Sequence, residues 1–221
     1  KNLGLGHRRL SILDLSENAN QPMTSHCGRY TMVFNGEIYN YKNIAKELDT
    51  NLKTDSDTEV VLEAFAKWGV SFLDRLNGMF AITIYDSQTN KLYLFRDRMG
   101  IKPLYYYWDK NDFIFGSELK SIKASGIQLK INKQIIPLFL HLGYIPQNHT
   151  IYQNTFKLPA GSYGILKNKE FNVHPFWSPE NCIEKEPIAN YQAIKKKLNN
   201  ELKLAVEKRL ISDVPLGTFL S

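Results

Sequence analysis

Tyr30 to Phe34 is a short β-rich run that ends at Asn35-Gly36, a pair that signals a turn. After Asn40, which can cap a helix, Tyr41, Ile44, Ala45 and Leu48 share one helical face. Ser56-Asp57-Thr58-Glu59 fits a capping box, in which a hydroxyl and a Glu three positions on satisfy free amides reciprocally. The helix it opens carries Val60, Val61, Ala64, Phe65 and Trp68 on one side, and Gly69 is expected to end it in the left-handed conformation. Three strand-like runs follow, Met79 to Tyr85, Leu92 to Phe95 and Leu104 to Trp108, with turn residues Asp86 to Asn90 between the first two. Phe113 to Gly116 is a fourth. Phe80, Ala81, Ile82, Ile84 and Tyr85 are apolar at both parities, which predicts a sheet covered on both faces and a layered α+β domain.

Leu158 to Ser162 reads as a turn, and Ser178 to Pro187, with two prolines and several charges, as a linker. Beyond it Tyr191, Ile194, Leu198, Leu202, Ala205 or Val206, and Leu210 recur at helical spacing, with Lys195, Lys196, Lys197, Lys203 and Lys208 largely on the wet side. Val214 to Ser221 starts as an apolar strand and stops. A buried strand with nothing to pair against, and a first residue Lys1 in place of Met, lead to the expectation that both ends are cut.

Composition narrows the class. Hydrophobic residues at 43% and charged residues at 23% are those of an ordinary globular protein, with no apolar run near the ~20 residues that cross a bilayer. The segment from Lys1 to Arg9 has no apolar signal core, so a cytoplasmic protein with no membrane partner is expected. The formal charge of +6 is diluted: residues 190–221 hold six Lys or Arg against three Asp or Glu, a solvated helix face more than a nucleic-acid surface. Cys27 and Cys182 are too far apart in sequence for a metal-spaced pair, and the five histidines lack zinc spacing, so no metal is assigned.

Three segments, Gly6-His7-Arg8-Arg9-Leu10-Ser11-Ile12-Leu13-Asp14, Phe34-Asn35-Gly36-Glu37-Ile38-Tyr39-Asn40 and Arg96-Asp97-Arg98-Met99-Gly100-Ile101-Lys102-Pro103-Leu104-Tyr105-Tyr106, occur in an order and spacing that resembles the class II glutamine amidotransferase domain of asparagine synthetases. Thr54 to Val61 matches that family's substrate-binding turn, and Phe115 to Lys120 a further motif. Ser212 to Gly217, continued by Leu220-Ser221, resembles the strand before the family's ATP-pyrophosphate loop. The resemblance implies a four-layer αββα N-terminal-nucleophile glutaminase sandwich over residues 1–177, a linker over 178–189, and over 190–221 the start of an α/β ATP-pyrophosphatase-type synthetase domain.

It also implies a chemistry. Glutamine hydrolysis through a thioester would supply ammonia to aspartate activated by Mg-ATP, the ATP and Mg sites lying mostly outside these residues. Partners would be glutamine and aspartate, and a homodimer stays open. Asn35 and Gly36 match the oxyanion hole, where an amide NH2 and a backbone N–H face the developing charge. Arg9 matches the residue that grips the substrate α-carboxylate with a planar fork. Asp57 matches the partner of the α-ammonium, with Glu37 in support, although a carboxylate in a first helical turn is favoured by the macrodipole in any case. The backbones of Leu10, Ile12 and Leu13 would line the pocket. Arg96, Asp97, Gly100, Lys102 and Pro103 are assigned a fixed turn, and Ser117 and Glu118 a part in the ammonia path. The family's opening Cys-Gly-Ile, whose Cys is the nucleophile, does not occur here. Because that chemistry uses the cysteine's own α-amino group as base, neither Cys27 nor Cys182 can replace it, and the chain alone is expected to be inactive. Two alternatives stay open: amidation of another carboxylate (a sugar acid or peptide), and a non-catalytic glutamine-binding domain.

Overall fold

The computed structural model describes residues 3–9, 14, 16–146, 148–183, 190–211, 213–215 and 217. In chain order the elements are β1 (Met23–Thr24), β2 (Tyr30–Ile38), α1 (Tyr41–Leu48), α2 (Asp57–Trp68), β3 (Gly78–Asp86), β4 (Lys91–Arg96), β5 (Tyr105–Trp108), β6 (Phe113–Gly116), α3 (Leu119–Ala124), α4 (Ile136–Leu142), β7 (Thr155–Lys157), β8 (Ser162–Lys167), β9 (Glu170–Pro175) and α5 (Tyr191–Lys208). Two antiparallel sheets result, one with order β1-β2-β3-β4-β8-β9 and one with order β6-β5-β7.

Parity along β2 and β3 explains the layers. Met32, Phe34, Ile38, Phe80, Ile82 and Ile84 point to one face and pack with Ile44, Val61, Leu62 and Phe65 of α1 and α2. Ala81 lies on the opposite face, where Leu92, Leu94, Leu104 and Leu158 form a second core that also takes in Tyr106, Phe113 and Phe115 of the smaller sheet. The larger sheet is thus covered on both faces at β2, β3 and β4, as their apolar runs predict, while β9 at its edge is mostly exposed. Helices lie on one side of it and the smaller sheet on the other, with α3 packed along β6 and β5.

Several local expectations are corrected. Asn35-Gly36 is no turn: β2 runs through it to Ile38, because Gly36 serves close strand approach. A Cβ there would lie 2.1 Å from the Met79 carbonyl oxygen. The capping box is half formed. Ser56 Oγ accepts from Thr58 N at 3.1 Å, but Glu59 turns to Lys53 and Thr54 instead of back to Ser56. Asn40 stands at the start of α1 without capping it by its side chain, which bridges Arg75 O and Asn77 N at 2.8 and 2.9 Å. Gly69 has φ 58° but ψ −145°, a glycine conformation other than left-handed helical. The sequence reading missed β1, α3, α4, β7, β8 and β9. Residues 213–215 and 217 form no strand, and the rest of the stretch from Val214 to Ser221 lies outside the described residues.

Candidate functional site

The pocket opens between the two sheets beside the start of α2, with a volume of about 480 Å³. Residues of odd number on β2, among them Val33, Asn35 and Glu37, share the pocket face with Ala81 and Thr83 of β3. Opposite them stand Phe115 to Glu118, at the end of β6.

The hydrogen-bond register aims the Gly36 amide. Gly36 faces Phe80, yet Phe80 turns both its backbone groups to Asp97: Phe80 N–H donates to Asp97 Oδ2 at 3.2 Å and Phe80 C=O accepts from Asp97 N at 2.9 Å. Gly36 therefore belongs to a pair without mutual hydrogen bonds, and its N–H points away from β3 to the outer edge of β2. The same edge carries the amides two residues either side. Phe34 N donates to Gln21 Oε1 at 2.5 Å, and Ile38 N to Asp57 Oδ2 at 2.9 Å. Gly36 N–H thus stands between two amides already engaged, on the wall of the pocket.

The Asn35 amide supplies a second donor; its Nδ2 donates to Ser117 Oγ at 3.1 Å. Asp57 heads α2 and is only 5% exposed. Burial first, then the nearby Glu37 charge, push its carboxyl up to about 6 against the amides of Ile38 and Thr58. Arg9 lines the pocket while donating to the carbonyls of Asp14 and, at 3.0 Å, Ser16. The structure thus brings together Arg9, Asn35, Gly36, Glu37 and Asp57. Leu10, Ile12 and Leu13 lie outside the described residues.

The predicted fixed turn after β4 is built on Asp97, whose carboxylate accepts from the amides of Phe80, Met99, Ile101 and Lys102. Arg96, half-buried, donates to three carbonyls, those of Gly100, Lys102 and Leu158. This turn carries Lys102 to the pocket. Ser117 binds Asn35 as described, while Glu118 pairs with Lys120 at 2.7 Å.

The sequence reading missed His7, Gln21 and Thr83 as pocket residues. Burial, then the Arg9 charge, lower the His7 pKa against a backbone hydrogen bond at Phe34 that raises it. His7 lay inside a quoted motif and could have been found there. Gln21, whose work is to occupy one backbone amide, carries no such signal. Cys27 and Cys182 are exposed free thiols, and Cys27 Sγ lies 3.3 Å from Ser25 Oγ, away from the pocket lining.

The chain thus has a mixed α/β fold with a pocket between two antiparallel sheets. The solved glutamine phosphoribosylpyrophosphate amidotransferase from B. subtilis shares it at a TM-score of 0.54 and 18% identity, over 77% of this chain and 34% of that one. The glutamine amidotransferase domain family matches residues 1–177, and the chain belongs to that family. It is 40% identical to a putative asparagine synthetase [glutamine-hydrolyzing] 2 of Methanocaldococcus jannaschii, over 99% of this chain and 46% of that protein. It is 33% identical to asparagine synthetase [glutamine-hydrolyzing] 1 of Bacillus subtilis, over 100% of this chain and 35% of that protein. The chain therefore spans less than half the length of these relatives.

Proposed function

We propose that this chain is the glutaminase part of a glutamine-dependent asparagine synthetase, in which glutamine hydrolysis supplies ammonia for ATP-dependent amidation of aspartate. The observation that carries the reading is the convergence of Arg9, Asn35, Gly36, Glu37 and Asp57 on one pocket. Those groups are complementary to glutamine. A guanidinium fork meets the α-carboxylate, a buried carboxylate meets the α-ammonium, and two N–H donors meet the side-chain carbonyl.

In the reaction a thiol adds to the amide carbon, and electron density moves to the carbonyl oxygen between Gly36 N–H and Asn35 Nδ2. The C–N bond then breaks and nitrogen leaves as ammonia after taking a proton. Water hydrolyses the resulting thioester to glutamate and restores the thiol. Donors fixed on a strand before the charge forms need no reorganisation, which is where such sites gain most of their rate. Neither Cys27 nor Cys182 lines the pocket, and an internal peptide nitrogen is no base, so neither is taken as the nucleophile of this reaction.

The same reading divides the chain into glutaminase (1–177), linker (178–189) and the first part of the synthetase unit (190–221), and takes α3 into the outer layer of an αββα sandwich. Among the described residues no group of three or more His, Cys, Asp or Glu is placed to hold a metal ion. Magnesium and ATP belong to the acceptor half of the reaction. Among the described residues no helix is long and apolar enough to cross a membrane.

The test uses the protein that carries this chain, given amide-15N glutamine, aspartate and Mg-ATP. Labelled asparagine and glutamate in equal amounts are expected. Glutamine hydrolysis without labelled asparagine would assign the ammonia to another acceptor, and no hydrolysis at all would reject the glutaminase reading.

A further inference from the structure

Asn35 and Ser117 come from different sheets. Asn35 rises from β2 into the space between the layers, and Ser117 sits on the two-residue connection between β6 and α3. That connection is held firmly. Ser121 N donates to Glu118 O at 3.1 Å, Ile122 of α3 is fully buried, and a Cβ on Gly116 would sit 3.1 Å from the Ser121 side chain.

A side-chain amide has one acceptor and two N–H donors in a single plane. Its terminal torsion is soft, with broad minima, so a free Asn can present oxygen as readily as nitrogen. An Asn35 turned the wrong way would set its carbonyl dipole against the oxyanion. One Asn35 N–H goes to Ser117 Oγ at 3.1 Å, which ties the side chain to the β6–α3 connection and restricts its swing, and the amide's second N–H remains for the pocket.

We propose that Ser117 is a positioning residue for Asn35, anchoring the oxyanion donor on the larger sheet to the smaller sheet. This rests on the glutaminase reading above. Because the oxyanion exists only after the thiol has added, the effect falls on the chemical step and not on glutamine binding, for which Arg9 and Asp57 provide the charges.

Glutaminase kinetics of the protein that carries this chain test it. Ser117→Ala is expected to lower kcat about tenfold, less than the ~100-fold or more that follows loss of an oxyanion donor in Asn35→Ala, with KM changed less than about twofold. Ser117→Thr, which keeps the hydroxyl, restores most of kcat. The double variant Asn35→Ala/Ser117→Ala is no slower than Asn35→Ala, since Ser117 acts only through Asn35. A purely structural role predicts additive losses, and additivity, an unchanged kcat in Ser117→Ala, or a loss confined to a raised KM each overturn the proposal. If the unmodified protein hydrolyses no glutamine, the proposed function fails and this role with it; activity with a silent Ser117→Ala rejects the role alone.

Discussion

In the proposed glutaminase, Asp57 combines two demands on one carboxyl. It must be buried to sit beside the pocket, and burial opposes the charge that an ammonium group needs. With its pKa pushed up to about 6, the free protein takes up a proton at this site as pH falls through that value. Glutamine binding is expected to weaken about tenfold per pH unit below about 6 and to level off above it. Calorimetric titration between pH 5 and 8 measures this, and Asp57→Asn should bind glutamine more weakly with a flat profile over that range. The linkage to stability runs the other way. A carboxyl whose folded pKa lies above the unfolded 3.8 contributes stability below pH ~4 that is lost as pH rises through about 6. Asp57→Asn, which keeps an acceptor for Ile38 N, should therefore raise unfolding free energy near pH 8, by up to about 3 kcal/mol. Greater stability with poorer binding marks a residue kept for function. Gly36 gives a second residue-scale expectation. Gly36→Ala pushes a Cβ against the Met79 carbonyl and should cost about 1–3 kcal/mol in thermal denaturation, whereas Gly4→Ala, with nothing within 4 Å, should cost almost nothing.

At the scale of elements, the start of α2 is fixed by Glu59. This buried carboxylate accepts from the amides of Lys53 and Thr54, from Thr54 Oγ1 at 2.7 Å, and contacts His26 Nε2 at 2.6 Å. Burial alone would raise its pKa, but the Lys53, Thr54 and His26 hydrogen bonds outweigh burial and lower it. Its contribution is thus present above the unfolded pKa of 4.5 and lost as pH falls through the lowered folded value. Glu59→Ala should destabilise the chain by about 2–4 kcal/mol at pH 7, and by less as the medium is acidified below pH 4, as read from urea melts at several pH values. The capping motif in the sequence located this helix correctly while misassigning its Glu. Spacing identifies a residue able to reach back, but not a tertiary loop offering more donors. The strand misread at Asn35-Gly36 has the same origin: turn propensity is local, and the Met79 carbonyl that requires a glycine is more than forty residues away. β8 and β9 were invisible because neighbouring strands, not periodicity, hold them. That Arg9, Asn35, Gly36, Glu37 and Asp57 meet at one pocket was legible in the motifs, whereas Gln21 was not, because its role depends on one backbone amide brought near by folding.

At the scale of the whole molecule, the two cores and α5 respond differently to substitution. Leu94 is fully buried between the sheets, while Leu198 and Leu202 on α5 are more than half exposed. Leu94→Ala should cost about 2–5 kcal/mol in this 221-residue chain, and Leu198→Glu under about 0.5 kcal/mol, both by chemical denaturation. Equal losses would mean that α5 belongs to the folding core.

The outer edge of β2 has one more consequence. An open strand edge ordinarily invites another backbone to add alongside it, hydrogen bond by hydrogen bond. Here β1 already pairs with Thr31 and Met32, and beyond it Gln21 and Asp57 occupy the rungs on either side of Gly36. In the proposed glutaminase a single carbonyl docks at Gly36, whereas an extended peptide added there would meet amides already engaged on both sides.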